Sequence, residues 1–195
     1  VENETTHLHG LFGAIKDATI KNLKLGAAGD QITLAGTSQN VVSAGALAGY
    51  AEGSTIVNVT NNVSVILTGD NPDATLMMLA GIAGCIKSTT IGGETKDDAV
   101  INNGDVKTGR ITNTANGGTG MNIGGICAFT LGAGTKLNYC TNNGEISAPT
   151  GRGGGLVGTL GGSTTEENGT VIANSTNNGT IQDLSLIHIS EPTRP

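Results

Sequence analysis

The sequence is almost without aromatic residues: 195 residues include two Phe, two Tyr and no Trp. Compact globular domains usually rely on aromatic side chains to fill the centre of the core. Here the apolar residues are mainly Ala, Val, Ile and Leu, which are small, often β-branched and suited to thin, layered cores. The composition therefore argues against an ordinary compact globule, although the length alone would fit one domain.

Charged residues are also scarce, at 13%, with 10 basic and 16 acidic side chains and a net charge of −6. No basic stripe is present to neutralise phosphates and no aromatic platform to stack bases, which argues against a nucleic-acid partner. No apolar run in this fragment approaches the length of a membrane span. Polarity comes instead from Gly, Asn, Thr and Ser, which favour strands and tight turns rather than charge-rich disorder.

The three cysteines, Cys85, Cys127 and Cys140, are an odd number at no metal-ligand spacing. We interpret them as small buried residues, because free Cys packs like a small hydrophobe. A Cys127–Cys140 bridge is an alternative if neighbouring strands bring the two residues close together.

One module recurs five times, opening near residues 10, 45, 81, 124 and 154 with a short apolar segment bounded by glycines. The leading apolar residues of these segments are Leu11, Leu47, Ile82, Ile126 and Leu156. Each module continues with an alternating apolar stretch that ends at an Asn turn, and closes with a third short stretch. Two-residue alternation predicts half-buried strands, and Asn-Asn-Gly supplies the positive φ that a sharp corner needs.

One module cannot cover its own apolar face, but stacked modules pair each strand with its copies and can join equivalent Asn side chains into ladders. Parallel connections are nearly always right-handed. The sequence therefore predicts an all-β, right-handed parallel β-helix (a β-solenoid) of about five repeats over residues 1–183, with about three strands in each. Insertions are expected at 69–73, 92–98 and 107–119. A β-sandwich with antiparallel hairpins at the Asn-Gly turns is the alternative.

The last residues, 184–195, differ in composition from everything before them. The string from Leu184 to Arg194 resembles the in-frame translation of a transposase sequencing adapter. We therefore expect 184–195 to be a non-native tail on a truncated, metagenomic gene, and we exclude it from the fold prediction. Because the chain starts at Val1, we also expect its natural N-terminus to be missing.

The fifth module carries the repeat motif most clearly. Gly154-Gly155-Leu156-Val157-Gly158 is followed by Val171–Ile181, which contains an Asn-Asn-Gly corner. These segments resemble the GLUG motif, named for its Gly-Leu-x-Gly core, and the resemblance covers roughly residues 8 to 183. The first module departs from it by lacking the Asn-Asn-Gly corner, and the third by an insertion at 90–98. The resemblance implies an exported bacterial surface protein, similar to adhesin-like repeats or to non-catalytic regions of immunoglobulin A peptidases. It carries over no catalytic residue, because the motif contains none.

Three polar groups have the composition of a metal site, and we interpret none of them as one. His7 and His9 share one face of a strand, with Glu2 and Glu4 nearby, but no third ligand lies at a convincing spacing. Carboxylates cluster in two loops, which contain Asp70 and Asp73, and Glu94, Asp97 and Asp98. Neither loop has the pattern of a known calcium loop, so solvated acidic loops are the preferred interpretation.

Asp105 and Glu145 occupy equivalent corners of adjacent modules and are expected to lie near each other. A polysaccharide-acting enzyme needs such carboxylates in one groove. Thr180 takes the same position in the last module, however, which favours an ordinary outward-facing site. The glycine-rich stretches 117–120 and 151–155 lack the Lys-Ser/Thr of a phosphate loop. We assign no catalytic, cofactor-binding or metal-binding residue.

The sequence favours a non-catalytic extracellular scaffold or adhesin segment of a larger bacterial surface protein. Its loops would bind a surface glycan or protein of a host or another microbe. Two alternatives stay open: a polysaccharide-acting β-helix enzyme, and an accessory region of a large secreted protease. Acidic and basic side chains that meet in one groove would favour the enzyme.

Overall fold

The computed structural model describes residues 6–35, 41–68, 76–109, 121–149, 151–161 and 169–182, which form five successive coils. Coil 1 contains β1 (Thr6–His9), β2 (Phe12–Lys16), β3 (Thr19–Leu25) and β4 (Gln31–Ala35). Coil 2 contains β5 (Val41–Gly45), β6 (Ala48–Glu52), β7 (Thr55–Asn61) and β8 (Ser64–Thr68). Coil 3 contains β9 (Leu76–Ala80), β10 (Ala83–Lys87), β11 (Thr90–Ile91), a 3-10 helix (Lys96–Asp98), β12 (Val100–Asn102) and β13 (Val106–Thr108). Coil 4 contains β14 (Met121–Gly124), β15 (Cys127–Leu131), β16 (Lys136–Asn138), β17 (Cys140–Asn142) and β18 (Ile146–Ser147). Coil 5 contains β19 (Arg152–Gly154), β20 (Val157–Leu160), β21 (Val171–Ala173), β22 (Thr176–Asn177) and β23 (Ile181–Gln182).

Strands from successive coils lie side by side in four sheets. Sheet A has the order β1-β5-β9-β14-β19, sheet B the order β2-β6-β10-β15-β20, and sheet D the order β4-β8-β13-β18-β23. In sheet C, β3 pairs with β7, and the two halves of β7 continue separately through β11-β16-β21 and β12-β17-β22. All of these pairings are parallel. The predicted all-β parallel β-helix of five repeats is therefore confirmed, and the antiparallel sandwich alternative is wrong.

The five leading apolar residues stack in line at the connection between sheets A and B. The Leu47 amide donates to the Ile82 carbonyl at 3.0 Å, and the Ile82 amide donates to the Ile126 carbonyl at 3.2 Å. The stack ends on Leu156, whose carbonyl accepts from the Ile126 amide at 2.9 Å. The side chains of the central three are fully buried, whereas Leu11 in coil 1 is 56% exposed. At this position, the fully buried side chains are those with a coil on both sides.

Aliphatic side chains fill the interior of coils 2 to 4. Ile56, Ile91 and Leu137 share one register position in sheet C, and all three are fully buried. Equivalent positions carry similar aliphatic residues in successive coils, so each side chain packs on the equivalent side chain of the next coil. This explains how the chain builds a core with so few aromatic residues.

Two ladders of Asn side chains run along the corner between sheets C and D. Asn61, Asn102 and Asn142 are fully buried, and each donates from Nδ2 to Oδ1 of the Asn in the next coil at 2.8 Å, ending on Asn177. A second, exposed ladder lies beside the first, formed by Asn62, Asn103, Asn143 and Asn178 at 2.8–2.9 Å. The prediction of Asn ladders at the corners is confirmed.

The buried ladder explains why a glycine pair and an Asn turn occur together in the later modules. A Cβ added at Gly125 would overlap the side chain of Asn142, and one added at Gly155 would overlap that of Asn177. Gly125 and Asn142 lie in coil 4, and Gly155 and Asn177 lie in coil 5. In each coil the missing side chain of the glycine leaves the space that the Asn side chain fills. In coil 1 the ladder position is Leu25 instead, which pairs in register with Asn61.

Sharp corners rely on backbone with positive φ. The bend in the middle of β3 lies at Asn22, with φ 57°, and the equivalent bend in β7 lies at Asn58, with φ 49°. Asn tolerates this left-handed conformation better than most residues. The two side chains also bond to each other, with Asn58 Nδ2 donating to Asn22 Oδ1 at 2.8 Å. These bends turn one long strand around the coil without a loop.

The module boundaries differ from the prediction in two respects. Each glycine-bounded opening is a turn between two strands, so sheet A precedes it and each coil has four or five strands instead of about three. Lys107 and Thr108, expected in an insertion, belong to β13. The insertion at 92–98 is confirmed: it separates β11 from β12, where coil 2 has the continuous β7. Residues 69–73, 109–119 and 184–195 lie largely or entirely outside the described ranges.

Candidate binding cleft

Sheets A and B approach each other closely on their outer faces because glycine lies between them. A Cβ at Gly49 would stand 2.7 Å from the His9 amide nitrogen and 2.8 Å from the Ser43 carbonyl oxygen. A Cβ at Gly84 would stand 2.7 Å from the Ala44 nitrogen. Such distances leave no room for a side chain. The two sheets therefore form the walls of a cleft that runs along the outside of the β-helix.

The cleft contains a pocket of about 320 Å³ that spans coils 1 to 4. Its lining residues are Leu8, Ser43 and Met78 from sheet A, and Tyr50, Cys85 and Leu131 from sheet B. Ser43 is the small polar member, and its hydroxyl donates to the Gly49 carbonyl at 2.6 Å. Because that bond occupies the hydroxyl proton, the lining of the pocket is predominantly apolar.

Charged side chains line the outer edge of the sheet B wall. Lys16, Glu52 and Lys87 share one register position in coils 1 to 3. Glu52 lies 3.1 Å from the Lys87 ammonium and 4.0 Å from that of Lys16. The hydrogen bond from Lys87 lowers the pKa of Glu52, so its carboxylate is charged at neutral pH. The rim thus carries two positive charges and one negative charge.

Tyr50 connects the pocket to this rim. Its hydroxyl donates to Glu52 Oε2 at 3.2 Å. Burial and then the nearby Glu52 carboxylate raise the pKa of Tyr50 to about 12, so the phenol keeps its proton. Tyr50 therefore presents its ring to the pocket as an apolar surface.

The three cysteines are free and buried, as expected. The alternative of a Cys127–Cys140 bridge is wrong for this structure. Burial raises the pKa of Cys85 and Cys140 to about 12 and that of Cys127 well above its usual value. Cys127 and Cys140 face the interior, whereas Cys85 lies in the cleft wall. In their protonated form these thiols are poor nucleophiles.

Beyond Met78 the sheet A wall becomes polar. Asn122 pairs in register with Met78 and is 1% exposed. Its Oδ1 accepts a hydrogen bond of 2.5 Å from the Thr159 hydroxyl, while its Nδ2 has no partner among the described residues. The apolar part of the cleft therefore ends at coil 4.

Asp105 and Glu145 lie side by side at the corner that precedes sheet D, as predicted, and Lys107 on β13 bridges them. The Lys107 ammonium is 2.9 Å from a carboxylate oxygen of each. Partial burial would raise the pKa of Asp105, but the hydrogen bonds from Lys107 and from the Glu145 backbone lower it overall. A general acid needs a raised pKa to hold its proton at neutral pH. The pKa of Asp105 is therefore shifted in the opposite direction from that of a catalytic acid.

The candidate metal groups are not assembled into a metal site in the described part of the chain. His7 and His9 share one strand face, with ring centroids 6.3 Å apart, and burial followed by the neighbouring His7 lowers the pKa of His9. Asp98 instead accepts hydrogen bonds from the Thr95 amide and hydroxyl, at the start of the 3-10 helix. Among the described residues, no group of three or more His, Cys, Asp or Glu could hold a metal ion. The possible partners Glu2, Glu4, Asp70 and Asp73 lie outside the described ranges.

The glycine-rich stretch 151–155 forms β19 and the turn after it, not the start of a helix. The other stretch, 117–120, lies outside the described residues. Within the described ranges, no helix is long and apolar enough to cross a membrane.

The sequence prediction missed the cleft. One signal was available: Leu76–Ala80 reads Leu-Met-Met-Leu-Ala, without the alternation of a half-buried strand. A strand that is apolar at every position is typically covered on both faces. Met78 lies on the outward face of this strand, and its burial marks the cleft.

No protein-family model, curated protein or solved structure matches the chain.

Proposed function

We propose that this chain is a non-catalytic repeat scaffold, an adhesin-like segment of a larger bacterial surface protein that presents binding surfaces outside the cell. The observation that carries the proposal is the unbroken register of the Asn ladder that joins coils 2 to 5, in which Asn61, Asn102 and Asn142 are fully buried. Stacked coils in register make an extended, stiff support, which is what a projecting scaffold requires. The resemblance to GLUG repeats supports the same conclusion.

The insertion in coil 3 is the described loop best placed to contact a partner. Residues 94–97 are exposed and include Glu94 and Asp97, while the Asp98 carboxylate holds the loop by its bonds to Thr95. A polar loop held on a rigid support is a typical binding element. We propose a surface glycan or protein of a host or another microbe as its partner.

Binding of the purified chain to arrays of glycans and extracellular proteins tests this function. The matched variant replaces residues 92–99 with the Val57-Asn58 bend of coil 2, so that β11 and β12 join as β7 does. We expect specific binding by the natural chain and a loss of binding in the loop-deleted variant, with the circular dichroism spectrum unchanged. Equal binding by both proteins would exclude this loop, and no binding to either array would contradict the adhesin function.

A polysaccharide-acting enzyme is the second candidate, and the adjacent Asp105 and Glu145 are the observation that favours it. We rank it lower because both carboxylates are paired with Lys107. Release of reducing ends from a panel of acidic and neutral polysaccharides, lost in Asp105→Asn and Glu145→Gln, would support the enzyme over the scaffold.

A further inference from the structure

We propose that the cleft between sheets A and B binds a small amphipathic anion: an aliphatic or aromatic body in the pocket, with a carboxylate or similar acidic group at the rim. This site goes beyond the scaffold function and does not rest on it. The argument comes from the volume of the pocket, the chemistry of its lining and the charges at its edge.

The volume fits one small molecule. About 320 Å³ lies at the lower end of the range of roughly 300–1,000 Å³ typical of small-molecule sites. The pocket spans four coils whose backbones are fixed by parallel pairing, so its shape exists before any ligand arrives. A preformed pocket loses less conformational entropy on binding.

The lining selects an apolar body. Leu8, Met78 and Leu131 contribute aliphatic surface, and Leu131 is 40% exposed. The Ser43 and Tyr50 hydroxyl protons are already engaged, with the Gly49 carbonyl and with Glu52. A polar group placed deep in the pocket would lose its water without gaining a partner.

The rim selects the charge of the head group. Lys16 and Lys87 flank Glu52, and their side chains are 68% and 45% exposed. One carboxylate cannot neutralise two ammonium groups, so an incoming anion at this edge completes the charge balance. Because these groups are hydrated, the anion orients the ligand and adds modestly to affinity.

The chain offers its own reporter, because it has three methionines in contrasting places. Met78 lines the cleft, whereas Met77 and Met121 share an interior register position and are 2% and 3% exposed. Full-length protein with ¹³C-labelled Met methyl groups is titrated with octanoate, octanol and octylamine, which share one chain and differ in charge.

We expect octanoate to shift the Met78 methyl signal saturably while the signals of Met77 and Met121 stay in place. Octanol should bind roughly two- to fivefold more weakly, the range expected for an exposed ion pair. Lys16→Gln combined with Lys87→Gln should lower the affinity for octanoate by the same factor and leave the affinity for octanol unchanged. Lys21 is an exposed lysine on sheet C, and Lys21→Gln is the matched control. It should change neither the affinity for octanoate nor that for octanol.

Cys85→Phe tests the location, since it adds bulk to the pocket wall between Tyr50 and Phe129 of the neighbouring strands. It should abolish the saturable Met78 shift with the melting transition retained. If Cys85→Phe does not fold, Leu131→Ala at the mouth of the pocket is the second test. It should lower the affinity for octanoate. The proposal is overturned if Met78 does not respond, or if all three methyl signals move together. Equal affinity for octylamine, or a Met78 shift that depends on protein concentration alone, would also overturn it.

Discussion

Asn61 Nδ2 donates a 2.8 Å hydrogen bond to Oδ1 of Asn102, a residue 41 positions later and equally buried. The Asn102 amide repeats the same bond to Asn142 and also donates to the Gly104 carbonyl at 2.8 Å. A buried amide is costly unless its polar atoms are paired. The ladder therefore requires consecutive coils to be in register, since a shift of one residue would leave several amides unpaired.

Asn102→Ala should destabilise the fold. It removes the Nδ2 donor of the Asn142 Oδ1 and the Oδ1 acceptor of the Gly104 backbone N–H. We expect a loss of about 2–3 kcal/mol in the free energy of unfolding, the cost of unpaired buried polar groups. The matched change, Asn103→Ala in the exposed ladder, should cost less than about 1 kcal/mol because water replaces the lost bonds. Urea unfolding of both variants is the measurement, and equal losses would contradict a special role for the buried ladder.

Gly125→Ala tests the coupling between the glycine pair and the ladder. Its Cβ would overlap Asn142 and the Gly155 carbonyl, so we expect a destabilisation of about 1–3 kcal/mol, as for overpacked cores. Gly169→Ala is the control, because a Cβ there meets nothing within 4 Å. Thermal denaturation compares the two. A Gly125→Ala protein as stable as the control would show that the glycine is not needed for packing.

Much of this arrangement could be predicted from the sequence. The stacked residues Leu47, Ile82 and Ile126 repeat from coil to coil, as do the Asn corners of coils 2 to 5. Repeated residues in a solenoid occupy equivalent positions. The same equivalence of corner positions predicts that Asp105 and Glu145 lie together, as they do.

The cleft could not be predicted in this way, because its outward positions do not repeat. Ser43, Met78 and Asn122 share one register position but have no side-chain chemistry in common. Sequence periodicity identifies the residues that recur in each coil because they stack on the neighbouring coils. It carries no information about a feature made by different residues in each coil, such as the pocket or the Lys107 bridge.

The ionic cluster of Asp105, Lys107 and Glu145 at the start of sheet D makes a small contribution to stability that depends on pH. The pKa of Asp105 is lowered in the folded protein, so its contribution is present above the ordinary value of 3.8 and is lost as pH falls through the lower, folded value. Because the side chain is 38% exposed, solvent screening limits the effect to less than about 1 kcal/mol. Unfolding of the natural protein and of Asp105→Asn at pH 6 and pH 2.5 is the measurement. Their difference should shrink at the lower pH; a difference that grows would contradict the assigned direction.

The end coils should cause the isolated chain to associate or fray. Apolar side chains are exposed at both ends, including Leu11 at 56% in coil 1, and Val171 at 54% and Ile181 at 48% in coil 5. Unpaired strand edges promote association of this kind. Sedimentation velocity should show species that grow with concentration, and Val171→Lys with Ile181→Lys should reduce them. A sharply melting monomer at all concentrations would count against the exposed ends.

The most direct test of the β-helix is the spacing of one register position along its axis. Lys24, Thr141 and Thr176 belong to coils 1, 4 and 5 of the same column in sheet C. Pairs of spin labels are placed on them after Cys85, Cys127 and Cys140 are replaced by Ala, with the melting temperature as the control. Parallel strands about 4.8 Å apart predict backbone separations of ~14 Å for Lys24–Thr141 and ~19 Å for Lys24–Thr176. Narrow distributions that differ by one strand spacing would support the stack, whereas broad distributions or distances beyond ~30 Å would contradict it.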